Sequence, residues 1–124
     1  MSQDIVADGI NKIMNAKRAR KKEVVINIYS KLLLEVLNIA KREDYIKNYK
    51  IDKTKLIVEI GKLNECKAIK PRFYIKGEKI DKYIRRFLPS RKIGILIIST
   101  NQGLLTQHEA EQEKIGGSLI AYFF

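Results

Sequence analysis

Apolar residues recur at three- and four-residue spacing through Ile5, Val6, Ile10, Ile13 and Met14, behind a first turn holding Asp4 and Asp8. That spacing predicts an amphipathic opening helix, weakened slightly by Gly9. Val24, Ile26 and Ile28 then alternate as in a strand, and Ser30 stands where it can cap a second helix bearing Leu33, Val36, Leu37 and Ala40. Lys31 falls in that helix's first turn. Strands are expected over 45–51 and 55–60, joined by Asp52-Lys53-Thr54 as a hairpin.

Gly61 closes this half, and residues 63–68 read as a connector into an extended stretch over 69–75, where Pro71 confines the strand to an edge or an end. Lys76-Gly77 marks a turn, 80–87 a short helix, and Leu88-Pro89-Ser90-Arg91 a rigid loop. The apolar run 93–98 is a strand, followed by the polar turn Ser99-Thr100-Asn101-Gln102-Gly103. Thr106 and Glu109 have the spacing of a capping box for a helix of about two turns. Gly116-Gly117 ends that helix, and 118–124 returns as a strand. Antiparallel pairing of 93–98 with 118–124 brings Ser99-Thr100 and Gly117-Ser118 to neighbouring loops.

The fold class is therefore α/β to α+β, in two small subdomains. Residues 1–72 form an N-terminal α-β-α-β-β unit, and residues 73–124 a C-terminal, mostly β unit with a short helix.

Charge changes this picture from a fold to a function class. The 124 residues carry a net charge of +11, which favours a polyanionic partner, nucleic acid ahead of an acidic membrane surface. Residues 1–61 hold 13 basic and 8 acidic groups, residues 62–92 hold 11 and 3, and residues 93–124 hold 1 and 3. The glycine- and hydroxyl-rich tail is thus slightly acidic. Attraction must come from residues 62–92 and from Lys17-Arg18-Ala19-Arg20-Lys21-Lys22, while the Ser99 turn supplies the hydroxyls, amides and glycine that suit phosphate and ribose contacts.

Other chemistries find little support. The single cysteine, Cys66, excludes an internal disulfide and a cysteine-based zinc site, fits a reducing compartment and reads as structural. No secretory signal or stretch long enough to span a membrane is visible. His108 with Ser99 would need a third orienting group to act as a catalytic dyad, and the acidic residues are scattered rather than convergent. The basic run at 17–22 follows a helix rather than lining one, unlike a membrane-surface helix. Tyr45, Tyr49, Tyr74, Tyr83 and Tyr122 read as core or interface rather than as base-stacking platforms.

A set of short motifs spread over the whole chain carries a resemblance. They are Ala7-Asp8, Asn15-Ala16, Ser30-Lys31, Tyr45-Ile46, Gly61-Lys62-Leu63-Asn64 with Cys66, Pro71-Arg72-Phe73, Leu88-Pro89-Ser90-Arg91, Ser99-Thr100 with Gly103, Thr106 with Glu109-Ala110, and Gly116-Gly117 with Tyr122. Together they resemble the S-eight family of small ribosomal subunit proteins in its archaeal and eukaryotic cytosolic form. The C-terminal motifs are the specific ones.

The resemblance implies a non-enzymatic, cytoplasmic constituent of the small ribosomal subunit. It would bind the central domain of small-subunit rRNA, organise the platform and neighbour other small-subunit proteins. It implies no cofactor, metal, membrane or small-molecule substrate. Lys31 and the turn Ser99, Thr100, Asn101, Gln102 and Gly103 match positions that the family sets against an rRNA helix, the turn meeting its minor groove. Arg20, Lys22, Arg91, Gly117 and Ser118 complete the expected RNA-binding set.

The sequence departs from the family pattern in three places. Ser118 stands where relatives usually carry a charged residue, Asp44 stands where a glycine usually precedes Tyr45-Ile46, and the connection from Lys50 to Lys55 looks shorter than in most relatives. Without the resemblance, an RNA-processing enzyme or a basic RNA-binding module outside the ribosome would be the competing reading.

Overall fold

The first helix begins because Asp4 accepts the N–H of Ala7 through its carboxylate, capping α1 (Ile5–Arg18). In this computed structural model, which describes residues 4–90 and 92–124, the chain divides into two compact units, Met1–Lys67 and Ala68–Phe124. The division falls inside β4 (Cys66–Ala68) rather than between residues 72 and 73. The cause is local: Ile69 N–H already donates to Ile120 C=O, and the Ile69 side chain is buried in the second unit's core.

In the first unit α1 is followed by β1 (Glu23–Ile26), α2 (Lys31–Arg42), β2 (Ile46–Asp52) and β3 (Lys55–Ile60). The sheet order is β1-β3-β2, all antiparallel. Ser30 caps α2 by accepting the N–H of Leu33. The helical positions Ile10, Ile13, Leu33 and Leu37 and the strand positions Ile26, Leu56 and Val58 are buried. Each such side chain contributes about 1.5–3 kcal/mol relative to exposure. β1 ends at Ile26, so the expected continuation to Ile28 fails; Ile28 is 55% exposed.

Cys66 closes the first core: its N–H donates to Met14 Sδ at 3.3 Å and its thiol to Ile10 C=O at 3.7 Å. Burial, with the nearby Glu65 charge adding to it and Arg18 opposing, pushes the thiol pKa up to about 12. The thiol is inert at neutral pH, as a structural cysteine should be.

α1 and α2 end alike, with a residue in the left-handed region where glycine is usual: Arg20 at φ 59° and Asp44 at φ 69°. At α1, Lys21 N–H donates to Ala16 C=O and Arg20 N–H to Lys17 C=O; at α2, Tyr45 donates to Ala40 and Asp44 to Lys41. These are Schellman turns, which satisfy carbonyls that a helix end leaves open. Asp44 is thus held in the conformation glycine adopts most easily.

In the second unit, β5 (Tyr74–Ile75) leads through a single 3₁₀ turn (Gly77–Lys79) into α3 (Ile80–Phe87). Then come β6 (Ile95–Thr100), β7 (Gly103–Thr106), α4 (Gln107–Glu113) and β8 (Gly117–Phe123). The sheet order is β4-β8-β6-β7, and β5 also pairs with β8. Its core gathers Ile75, Ile80, Ile84, Leu88, Leu96, Ile98 and Leu119. The capping box at α4 is complete, with Thr106 Oγ1 accepting the Glu109 N–H and the Glu109 carboxylate accepting the Thr106 N–H.

Gln107 is fully buried and does the work of a neighbouring strand. Its side-chain oxygen accepts the Leu96 N–H at 2.8 Å, and its amide nitrogen donates to Gly94 C=O at 3.0 Å. It takes over along β6 where β7 departs, since the β6–β7 register stops at Ile97 and Thr106.

Four expectations for this half need correction. The stretch 69–75 is not one strand: β4 has already ended at Ala68, and after a turn only Tyr74–Ile75 is extended as β5, because Pro71 has no N–H to give a ladder. β6 begins at Ile95, two positions after the expected start, with Ile93 52% exposed, and runs through Ser99 and Thr100, which are strand residues rather than loop residues. Gly103–Thr106 is a strand of its own, so the polar turn is the tip of a hairpin. Finally, α4 is ended by Lys114 at φ 56°, with Ile115 N–H donating to Ala110 C=O, and not by Gly116-Gly117.

The glycine pair serves close approach instead: a Cβ on Gly116 would lie 2.2 Å from Ile75 C=O, and one on Gly117 2.2 Å from Ser99 C=O.

Candidate nucleic-acid interface

β6 and β7 form a hairpin whose tip is Asn101-Gln102. Thr100 locks it from inside: its hydroxyl donates to Gly103 C=O at 2.7 Å and accepts the Gln102 N–H at 3.1 Å. Gly103 has φ 101° and open space around its missing side chain, so here glycine supplies backbone conformation rather than room. Asn101, Gln102 and Gly103 are exposed.

Strand pairing sets Tyr74 of β5 opposite Ser118 of β8, Ser118 opposite Ser99 of β6, and Ser99 opposite Leu104 of β7. Directly opposed residues project to the same face, with Cβ atoms roughly 4.5–5.5 Å apart. The result is a row of phenol, hydroxyl and hydroxyl across β5, β8 and β6, closed on β7 by Leu104 and lying beside the hairpin tip. Ser99 and Ser118 are half-buried. Tyr74 is 68% exposed, which excludes the core from its two expected roles, core or interface. The alternation of Phe73, Tyr74 and Ile75 could have revealed it, because Ile75 is buried and its neighbour must face the other way.

The expected set therefore divides. Ser99, Thr100, Asn101, Gln102, Gly103, Gly117 and Ser118 come together at one end of the second unit's sheet. Lys31, Arg20 and Lys22 belong to the first unit and are exposed. Arg91 lies outside the described residues. Lys31 is the first residue of α2, whose opening turn has no acidic residue. A cation there opposes the helix dipole by about 0.3–1 kcal/mol. Arg20 likewise occupies a left-handed position unfavourable for its type. Both residues break a local rule of helix ends.

The basic run is not wholly separate from α1, since Lys17 and Arg18 form its last turn. Among the described residues no group of His, Cys, Asp and Glu could hold a metal ion, and no helix is long and apolar enough to cross a membrane.

Comparison with known proteins bears directly on this geometry. The model of the family Ribosomal protein S8 matches residues 4–124. The chain belongs to the ribosomal protein S8 family. It is 41% identical to small ribosomal subunit protein uS8 of Nanoarchaeum equitans over 129 residues, covering all of both chains. It is 37% identical to uS8 of Thermoplasma acidophilum, again covering all of both. It is 32% identical to uS8A of Schizosaccharomyces pombe over 98% of each. The ribosomal protein S8 family is structural and non-enzymatic.

Proposed function

We propose that this chain is a structural protein of the small ribosomal subunit, working in the cytoplasm. It docks directly on the central domain of small-subunit rRNA, organises the platform and meets neighbouring subunit proteins there. The observation that supports this most is the Tyr74–Ser118–Ser99 row beside the Thr100-locked tip. A rigid line of hydroxyls matches what A-form RNA presents in its wide, shallow minor groove, namely 2′-hydroxyls and base edges.

Ser99, Ser118, Gly117, Asn101, Gln102 and Gly103 form the recognising set, with Tyr74 extending it. Ser118 contributes a hydroxyl beside that of Ser99. Lys31, Arg20, Lys22 and Arg91 supply phosphate contacts that hold the protein in place without reading sequence. The test is filter binding to the central-domain helix and to a random duplex of equal length, with sucrose-gradient sedimentation of tagged protein. Co-migration with the small subunit and a preference of at least about tenfold for the cognate helix are expected. Equal affinity for both RNAs would overturn the reading.

A further inference from the structure

Successive strand residues point to opposite faces of a sheet. Ile75, Ile98 and Leu119 lie in the core cluster that α3 completes with Ile80, Ile84 and Leu88. Their chain neighbours Tyr74, Ser99 and Ser118 must then face away from α3. The hydroxyl row and α3 are on opposite sides of the same sheet.

The outer side of α3 is cationic. With about 100° between successive residues, Lys82 and Arg86 stand across the helix from Ile80 and Ile84. Lys79, Lys82, Arg85 and Arg86 are all exposed. Aromatic faces hold two of them: the Arg86 guanidinium lies 5.2 Å from the Phe87 ring centre, and Lys82 Nζ lies 5.9 Å from that of Tyr83. Phe87 stacks in turn on Tyr122 of β8 at 5.9 Å. Arg85 is steadied by Asp81 at 3.1 Å. These residues and Glu78 line a shallow depression of about 610 Å³.

We propose that the outer face of α3 binds the phosphate backbone of a second RNA segment, so that the C-terminal unit joins two RNA elements, one on each face of its sheet. The proposal rests on the rRNA-binding reading. A rigid RNA helix docked on the hydroxyl row cannot also reach a face pointing the other way. The cations of α3 therefore serve a different stretch of polyanion. Charge complementarity selects that partner, because Lys79, Lys82, Arg85 and Arg86 outnumber Glu78 and Asp81 on a chain of net charge +11. Cations of this kind read phosphate without sequence.

The experiment is a two-RNA mobility shift. Wild-type protein saturated with the cognate central-domain helix should capture an unrelated labelled duplex as a ternary complex. Lys79→Gln with Lys82→Gln and Arg86→Gln should keep the preference for the cognate helix over a random duplex at the hydroxyl row within about twofold, weaken capture of the second duplex at least about tenfold, and lower its salt slope by about three. Arg85 is left in place because it pairs with Asp81. A Lys79→Arg, Lys82→Arg control should still capture the duplex.

Displacement of the cognate helix by the second duplex would overturn the proposal, as would unchanged capture by the triple variant or preferential capture of polyglutamate at this face. If wild-type protein failed to prefer the cognate helix, the rRNA reading would fall instead. The ternary result would remain readable on its own.

Discussion

The two hairpins show how the same local architecture can serve different ends. In the first unit β2 and β3 meet at Lys53-Thr54, flanked by the pair Asp52 and Lys55, with Lys53 at φ 59°. That tip is charged and solvated. In the second unit β6 and β7 meet at Asn101-Gln102, flanked by Thr100 and Gly103, and a single threonine hydroxyl is bonded to both sides of the turn. That tip is neutral and locked. Charge attracts from a distance whatever its exact placement, whereas recognition by hydroxyls needs the donors already in position. The locked hairpin is therefore the one suited to read a surface.

The largest test of this contrast removes the foundation of the second hairpin. Gly117→Ala would place a methyl 2.2 Å from Ser99 C=O and force β8 away from β6. A loss of about 3 kcal/mol or more is expected in urea unfolding, together with loss of preference for the cognate RNA. Next comes Thr100→Val, which keeps shape and deletes both hydroxyl bonds. It should cost about 1–2 kcal/mol and roughly tenfold in cognate binding. Thr54→Val, the matching change in the first hairpin, should stay within about 0.5 kcal/mol and leave binding alone.

Smaller effects come from backbone conformation. Gly103→Ala puts a side chain at φ 101° and should cost about 1 kcal/mol, measurable as a lowered melting temperature. Lys53→Gly relieves a left-handed lysine and should be neutral or stabilising by up to about 0.5 kcal/mol, because the gain is offset by unfolded-chain entropy.

The last effect is confined to the first unit and absent at neutral pH, appearing only on the alkaline side. The Cys66 pKa is raised from 9.0 to about 12 by burial, so the folded state holds a proton that the unfolded chain releases. That contribution is fully present below pH 9 and is lost as pH rises toward 12. Cys66→Ala should flatten the alkaline limb of a stability profile, and an unchanged limb would assign the alkaline loss to other groups.

Much of this was legible in the sequence, for identifiable reasons. Ser30, Thr106 and Glu109 announce helix starts through side-chain chemistry that acts over three residues, and each caps as expected. The antiparallel pairing that places Ser99 beside Ser118 followed from two apolar runs of matched length. What escaped depends on partners distant in the chain. Ile93 and Ile28 are apolar yet exposed, because strand ends are set by pairing and not by hydrophobicity. Gly116-Gly117 looked like a helix exit, since a glycine needed for close approach is written the same way as one needed for a left-handed turn. For Tyr74 the local sequence does not separate core from interface. Only the β5–β8 register sets it beside Ser118.

Gln107 has a consequence for the protein before it meets any RNA. A strand edge with unused N–H and C=O groups is a template for joining another chain. A basic protein made in excess of its partner and presenting such an edge would be prone to polymerise. By occupying Leu96 and Gly94 with one side-chain amide, Gln107 withdraws part of the β6 edge from that reaction. A helix residue thus covers a stretch of strand edge with which another chain could otherwise pair.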